Sequence, residues 1–95
     1  MAKAKPFVVV RTRSAGVHVG TLVKHQGREV ELANARRVWR WRGANTLHEL
    51  ALHGASEKDY TRISEPVKKI VLTEAIEIIS ATPEGTANLS RSRWL

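Results

Sequence analysis

The stretch Asn34-Ala35-Arg36-Arg37-Val38-Trp39-Arg40-Trp41-Arg42-Gly43-Ala44-Asn45 gathers the side chains best suited to hold a ligand: four arginines and two of the three tryptophans. A planar guanidinium grips phosphate with two parallel hydrogen bonds and stacks on flat rings. Interleaved with tryptophan, it suits a nucleotide, whose phosphates take the forks while its base takes the aromatic face. On a strand successive side chains alternate between faces. Arg37, Trp39 and Trp41 then share one face, and Arg36, Val38, Arg40 and Arg42 share the other. A small domain needs large apolar groups in its core. The pattern therefore predicts a core face, Trp39 and Trp41, and a ligand face, Arg36, Arg40 and Arg42. Whether the tryptophans also serve the site is left open, with Trp41 kept among the ligand-binding candidates.

Four further arginines extend the candidate ligand set: Arg11 and Arg13 near the start, Arg91 and Arg93 near the end. Trp94 gains little by staying in water at a chain end. It is expected to fold back onto the sheet or to dock on another protomer, which makes a homo-oligomer the expected state. Catalytic signatures are missing. Among His18, His25, His48 and His53 no pair has the i, i+4 spacing of two metal ligands on one helix face. Each histidine reads as an exposed or hydrogen-bonded structural residue. There is no phosphate-binding glycine loop, no nucleophile elbow and no paired-acid motif. The chain reads as non-enzymatic, with no catalytic residue, no metal and no cofactor.

The totals agree with a binding role. Ninety-five residues make about one domain, and 42% hydrophobic with 26% charged residues is a globular composition. A net charge of +7 favours nucleic acid, anionic nucleotides, acidic proteins or anionic membrane surfaces. Cysteine is absent, which removes disulfides, thiolate metal sites and a thiol nucleophile. No apolar run approaches the ~20 residues that span a bilayer. The expectation is a soluble, cytoplasmic protein without a membrane partner.

The elements that must position these residues are mostly strands. Residues 1–6 read as a flexible basic arm, and 7–95 as a single small β-barrel-like domain. Phe7–Arg13 and Val17–Val23 form a hairpin about the Ser14-Ala15-Gly16 turn, with Val17, Val19, Thr21 and Val23 on one face. Gly20 marks a bulge or a close backbone approach. Gln26-Gly27-Arg28 turns the chain into Glu29–Leu32, whose alternation is that of a half-exposed strand. Asn34 stands where that strand bulges or turns. The arginine–tryptophan stretch is then a fourth strand or the continuation of a bent third. Thr46 and Glu49 form a capping box for a helix over 47–53, ended by Gly54. A brief strand follows at Tyr60–Ile63, broken by Glu65-Pro66. Val67–Ile79 reads as strand by its β-branched density. Thr82-Pro83-Glu84 starts a second helix, short and weak because Gly85 and Thr86 follow.

Phe7-Val8-Val9-Val10-Arg11-Thr12, Ser14-Ala15-Gly16-Val17, Gly20, Glu29-Val30, Ala35-Arg36-Arg37-Val38-Trp39-Arg40-Trp41-Arg42-Gly43-Ala44, Leu47 and Leu72-Thr73-Glu74-Ala75-Ile76-Glu77-Ile78 together resemble a family of small uncharacterised bacteriophage proteins. The likeness runs over about residues 7–80 and includes an ARR-[VL]-W-x-W-x-GA type motif. It implies an infected bacterial host and a phage counter-defence role, including that of a sponge for nucleotide signals. The fold expected is mainly β (α+β): a small antiparallel, partly open barrel of five to six strands with one short docked helix. The function expected is a non-enzymatic protein that sequesters an anionic nucleotide signal, of cyclic oligonucleotide or ADP-ribose type. The alternatives are a DNA- or RNA-binding module and an inhibitor that docks on an acidic host protein.

Overall fold

Val8, Val9 and Val10 are all fully buried, which requires a strand covered on both faces. They belong to β1 (Phe7–Thr12), and the folds of chain on either side of it supply the two covers. A computed structural model describes residues 5–40, 46–54 and 61–90. After β1 come β2 (Val17–Gln26), β3 (Glu29–Arg40), α1 (Leu47–His53), β4 (Arg62–Ile63), β5 (Val67–Leu72), β6 (Ala75–Ser80) and α2 (Pro83–Leu89). Residues 1–4 of the expected basic arm lie outside the described residues.

The strands form a six-stranded antiparallel sheet in the order β4-β3-β2-β1-β6, with β5 also on β3. β3 is one long bent strand. β5 takes the first part of its edge, from Val30↔Leu72 to Ala35↔Val67, and β4 takes the last, at Val38↔Ile63 and Arg40↔Arg62. The sheet curls without closing, a partly open barrel of six strands. Two backbone bonds lace its turns together: Arg13 N–H donates to Glu74 O and Ala75 N–H to Arg28 O, both at 3.0 Å.

The curl rests on a bulge. β2 and β3 change register between Val19 and Thr21, where Gly20 meets two residues of β3. Asn34 supplies the extra residue with φ of 50°, a conformation asparagine tolerates. A Cβ on Gly20 would stand 3.1 Å from both Ala33 O and Ala35 Cα, so glycine permits the close approach. The bulge and close approach expected at these two positions are both present. Because alternation restarts after it, Leu32 and Ala35, three apart, share one buried cluster with Val8, Val10, Val30 and Leu72. This cluster fills the inside of the curl.

A second cluster covers the outside: Val9, Val19, Val38 and Ile63 pack against Leu50 and Ala51 of α1 and Leu89 of α2. α1 has the bounds read from its capping box, with Thr46 Oγ1 accepting from Glu49 N at 3.2 Å. Two helices dock, not one. α2 is only seven residues long, too short to stand alone in water. Its glycine, expected to weaken it, is what lets it dock: a Cβ on Gly85 would fall 2.1 Å from Ala51 O. Val67–Ile79 also differs from the single strand expected. It breaks at Thr73-Glu74 into β5 and β6, because a bend there lets one half pair with β3 and the other with β1.

Gly85→Ala sets a helix-propensity gain of about 0.5–1 kcal/mol against an overpacking cost of about 1–3 kcal/mol. The clash is with backbone, which cannot rotate away, so the variant loses about 1–2 kcal/mol in urea unfolding. Equal or greater stability would mean that α2 does not need this approach.

Candidate functional site

In the described part of the arginine–tryptophan stretch, through Trp39, the faces are the reverse of those expected. Trp39 is 59% exposed and Arg36 only 5%. The physical reason lies in what covers the sheet. Beyond the bulge, Arg36 and Val38 face the helices, where the gap beneath α1 and α2 is filled by Val38 with Leu50, Ile63 and Leu89. Ala35, Arg37 and Trp39 take the opposite face, which belongs to the inside of the curl and opens to solvent at its rim.

Arg36 is therefore a structural residue. Its Nε donates to Ser64 O at 2.7 Å and its Nη1 to Leu89 O at 2.9 Å. Leu89 ends α2, whose last turn carries no basic residue of its own. Arg36 brings a cation to carbonyls at the negative end of that helix. Burial lowers its pKa from the ordinary value by desolvation, and arginine stays charged regardless.

Arg37 and Trp39 form the rim. His18 pairs with Arg37 across β2 and β3, and Val10 pairs with His18 on the other side. His18 is 2% exposed, and its Nδ1 has no hydrogen-bond partner. It is thus neither of the things expected of the histidines. Desolvation, and then the nearby Arg37 charge, push its pKa down from the ordinary 6.5, so the ring is neutral near pH 7.

Arg37 stands between two depressions. On one side a cleft of about 280 Å³ is lined by His18, Ala35, Arg36, Ser64, Val67 and Ile70 together with Arg37. It opens where β3 passes from β5 to β4. Ser64 bridges that gap, donating its N–H to Arg37 O at 2.9 Å and accepting from Arg37 N at 2.8 Å through Oγ. On the other side a groove of about 440 Å³ runs between Trp39 and the Ser14-Ala15-Gly16 turn. Thr12 stiffens this turn: its Oγ1 donates to Gly16 O at 2.8 Å and accepts from Ala15 N at 2.9 Å. The acid nearest the turn, Glu74, accepts from Ser14 Oγ at 3.0 Å.

The other expected site residues fall in three groups. Arg11 is exposed on β1, with Nη1 3.4 Å from Glu77 Oε1. Arg13 is exposed just beyond β1. Arg40 ends β3 opposite Arg62, and nothing of its side chain is described. Trp41, Arg42, Arg91, Arg93 and Trp94 lie outside the described residues. Of the residues brought together, Arg37 and Trp39 were signalled by the alternation and by Asn34, whereas His18 reaches them only through the pairing of β2 with β3. Counting the phase through that asparagine would have placed Arg37 and Trp39 at the rim.

Among the described residues no group of three His, Cys, Asp or Glu side chains converges as for a metal. Nor is any of their helices long and apolar enough to cross a membrane. The arrangement offers a cation, an aromatic face and a neutral imidazole on one face of the sheet, which is equipment for binding an anion with flat rings.

The model of the family described as Domain of unknown function (DUF6948) matches residues 5–89, a span that runs from β1 through α2, and the chain belongs to that family. No curated protein and no solved structure matches it.

Two measurements test this placement. Arg36→Met strands the carbonyls of Ser64 and Leu89 and lowers unfolding free energy by about 2–4 kcal/mol, whereas Arg37→Met changes it by less than about 0.5 kcal/mol. Similar losses from both would contradict the assigned faces. His18 has a folded pKa below its unfolded value, so as pH falls the unfolded chain takes up the proton first. Its contribution is whole above pH ~6.5 and is lost as pH falls through the lowered folded pKa. His18→Leu therefore flattens the fall in stability between pH 8 and 5; an unaltered profile would count against a buried neutral ring.

Proposed function

We propose that this member of the DUF6948 family is a non-enzymatic binding protein for an anionic nucleotide, with the Arg37 guanidinium on phosphate and Trp39 under a base. The observation that carries the reading is an exposed tryptophan two residues from an exposed arginine on one strand face, at a groove large enough for a nucleoside. Leaving an indole more than half in water wastes a large apolar group that the core could use. Stacking a base on it is worth about 1–3 kcal/mol, and a hydrogen bond to a charged group about 1.5–3 kcal/mol. The net charge of +7 raises the local concentration of such ligands.

The likeness to small phage proteins gives this activity a setting: sequestration of a nucleotide signal, of cyclic oligonucleotide or ADP-ribose type, in the cytoplasm of an infected bacterium. Binding alone is enough for that role, and among the described residues the rim holds no group of nucleophile, base and orienting partner. DNA or RNA binding through the same surface is the second reading, favoured by the further exposed Arg11, Arg13, Lys68 and Lys69.

A thermal-shift screen of cyclic di- and trinucleotides and ADP-ribose isomers tests the first reading. A ligand at a hundredfold excess over its dissociation constant stabilises by about 2.7 kcal/mol. Arg37→Ala and Trp39→Ala each weaken the hit by about 10- to 100-fold. Affinity for the small ligand varies little with salt, whereas a duplex or long single strand gives a log–log slope of about −0.7 to −0.9 per phosphate contact. A screen without stabilisation, beside steeply salt-dependent binding of DNA or RNA, would replace the first reading with the second.

A further inference from the structure

Arg37 lines both depressions of the rim, and the two differ in character. The groove beside Trp39 is walled by the Ser14–Gly16 turn. The cleft beside His18 has apolar walls from Ala35, Val67 and Ile70. Its distinctive polar group is an imidazole whose Nδ1 is buried and makes no hydrogen bond. A buried orphan N–H is rarer than an under-used acceptor. The tautomer that costs least leaves Nδ1 bare and puts the proton on Nε2, which becomes a donor for a ligand in the cleft.

We propose that the two depressions are the two halves of one site for a dinucleotide: the bridging phosphate sits on Arg37, one base stacks on Trp39, and the second base enters the His18 cleft. This deepens the nucleotide reading above and rests on it. Ala35, Arg37 and Trp39 alternate on one strand face, so the ends of the site are about 13–14 Å apart, four residues at ~3.4 Å each. That exceeds the ~3.4 Å rise between stacked bases, so the ligand lies open across Arg37 with its bases apart. A cleft of about 280 Å³ has room for a base. Its lining sets apolar Ala35, Val67 and Ile70 beside Arg36, Arg37, Ser64 and an imidazole held neutral by burial and by Arg37, which suits a flat ring accepting from Nε2–H.

Isothermal titration of the whole protein with 5′-AMP and with adenylyl-(3′→5′)-adenosine tests this. The dinucleotide carries less negative charge, so charge alone would make it the weaker ligand. The expected result is binding at least tenfold tighter than AMP. Val67 lines the cleft while 50% exposed, so Val67→Phe narrows the cleft without touching the buried clusters. In that variant dinucleotide affinity falls to the AMP value, and unchanged AMP affinity verifies the fold. Dinucleotide binding no tighter than AMP, or equal effects of Val67→Phe on both ligands, overturns the two-base site. If AMP binding is nonetheless present and is lost in Trp39→Ala, the nucleotide reading survives that failure. Absence of binding by either probe overturns both.

Discussion

One extra residue decides the character of both faces of this sheet. Asn34 in β3 has positive φ and faces Gly20 across β2, and the alternation of side chains restarts beyond it. Before the bulge, Val30 and Leu32 point into the curl; after it, Ala35 does, and Arg36 and Val38 turn to the helices. Without that shift Arg36 would point into the curl, while Arg37 and Trp39 would lie beneath α1 and α2. A strand with strict period two offers no other way to reassign a whole segment. The bulge also bends the strand, which lets β5 and β4 share one edge of β3 and leaves the opening between them.

Two neighbouring arginines consequently have unlike roles. Arg36 is buried, and its guanidinium holds the end of α2 and the segment after β4 against the sheet. Removing a charge of this kind leaves carbonyls unpaired where water does not reach. Arg37, one residue on, is exposed and borders both depressions. It also depresses the pKa of the neighbouring His18. The helices repeat the logic of close approach: Gly85 and Ala51 bring α2 against α1, and Thr82 N–H donates to Ala51 O at 3.0 Å.

Much of the architecture was legible because local chemistry fixed it. The Thr46–Glu49 box and Gly54 bounded α1, the Ser14–Gly16 and Gln26–Arg28 turns bounded the first hairpins, and Gly20 and Asn34 marked the bulge. The faces of β3 were not legible from alternation alone. Alternation says which residues share a face and not which face is covered, and here both are, by different partners. Tryptophan was assigned to the core by size, but the layer beneath the helices is filled by Val38 with Leu50, Ile63 and Leu89. Arg36, expected to present its fork to a ligand, is buried, and Arg37 stands exposed beside it, while the Arg40 side chain and Arg42 lie outside the described residues; the buried His18 became visible only when Val10 and Arg37 were seen on either side of it. The break at Thr73-Glu74 was hidden because β-branched density continues through it and only the pairing partners change.

The pairing of β1 with β6 bears on how the protein is made. Val8 lies against Ser80 and Val10 against Ile78, so the first strand finds its second neighbour only after some seventy residues of intervening chain. On a ribosome adding roughly 5–20 residues per second, the Val8–Val10 run waits several seconds with one edge unpaired. The β1–β2 hairpin can form at once, but it cannot pair that edge. Assembly is therefore late and all at once. The same holds for the rim, because Val67 and Ile70 reach the His18 cleft only when β5 has been synthesised and docked on β3. An interrupted chain that stops before β5 carries His18 and Arg37 but no cleft to present them in.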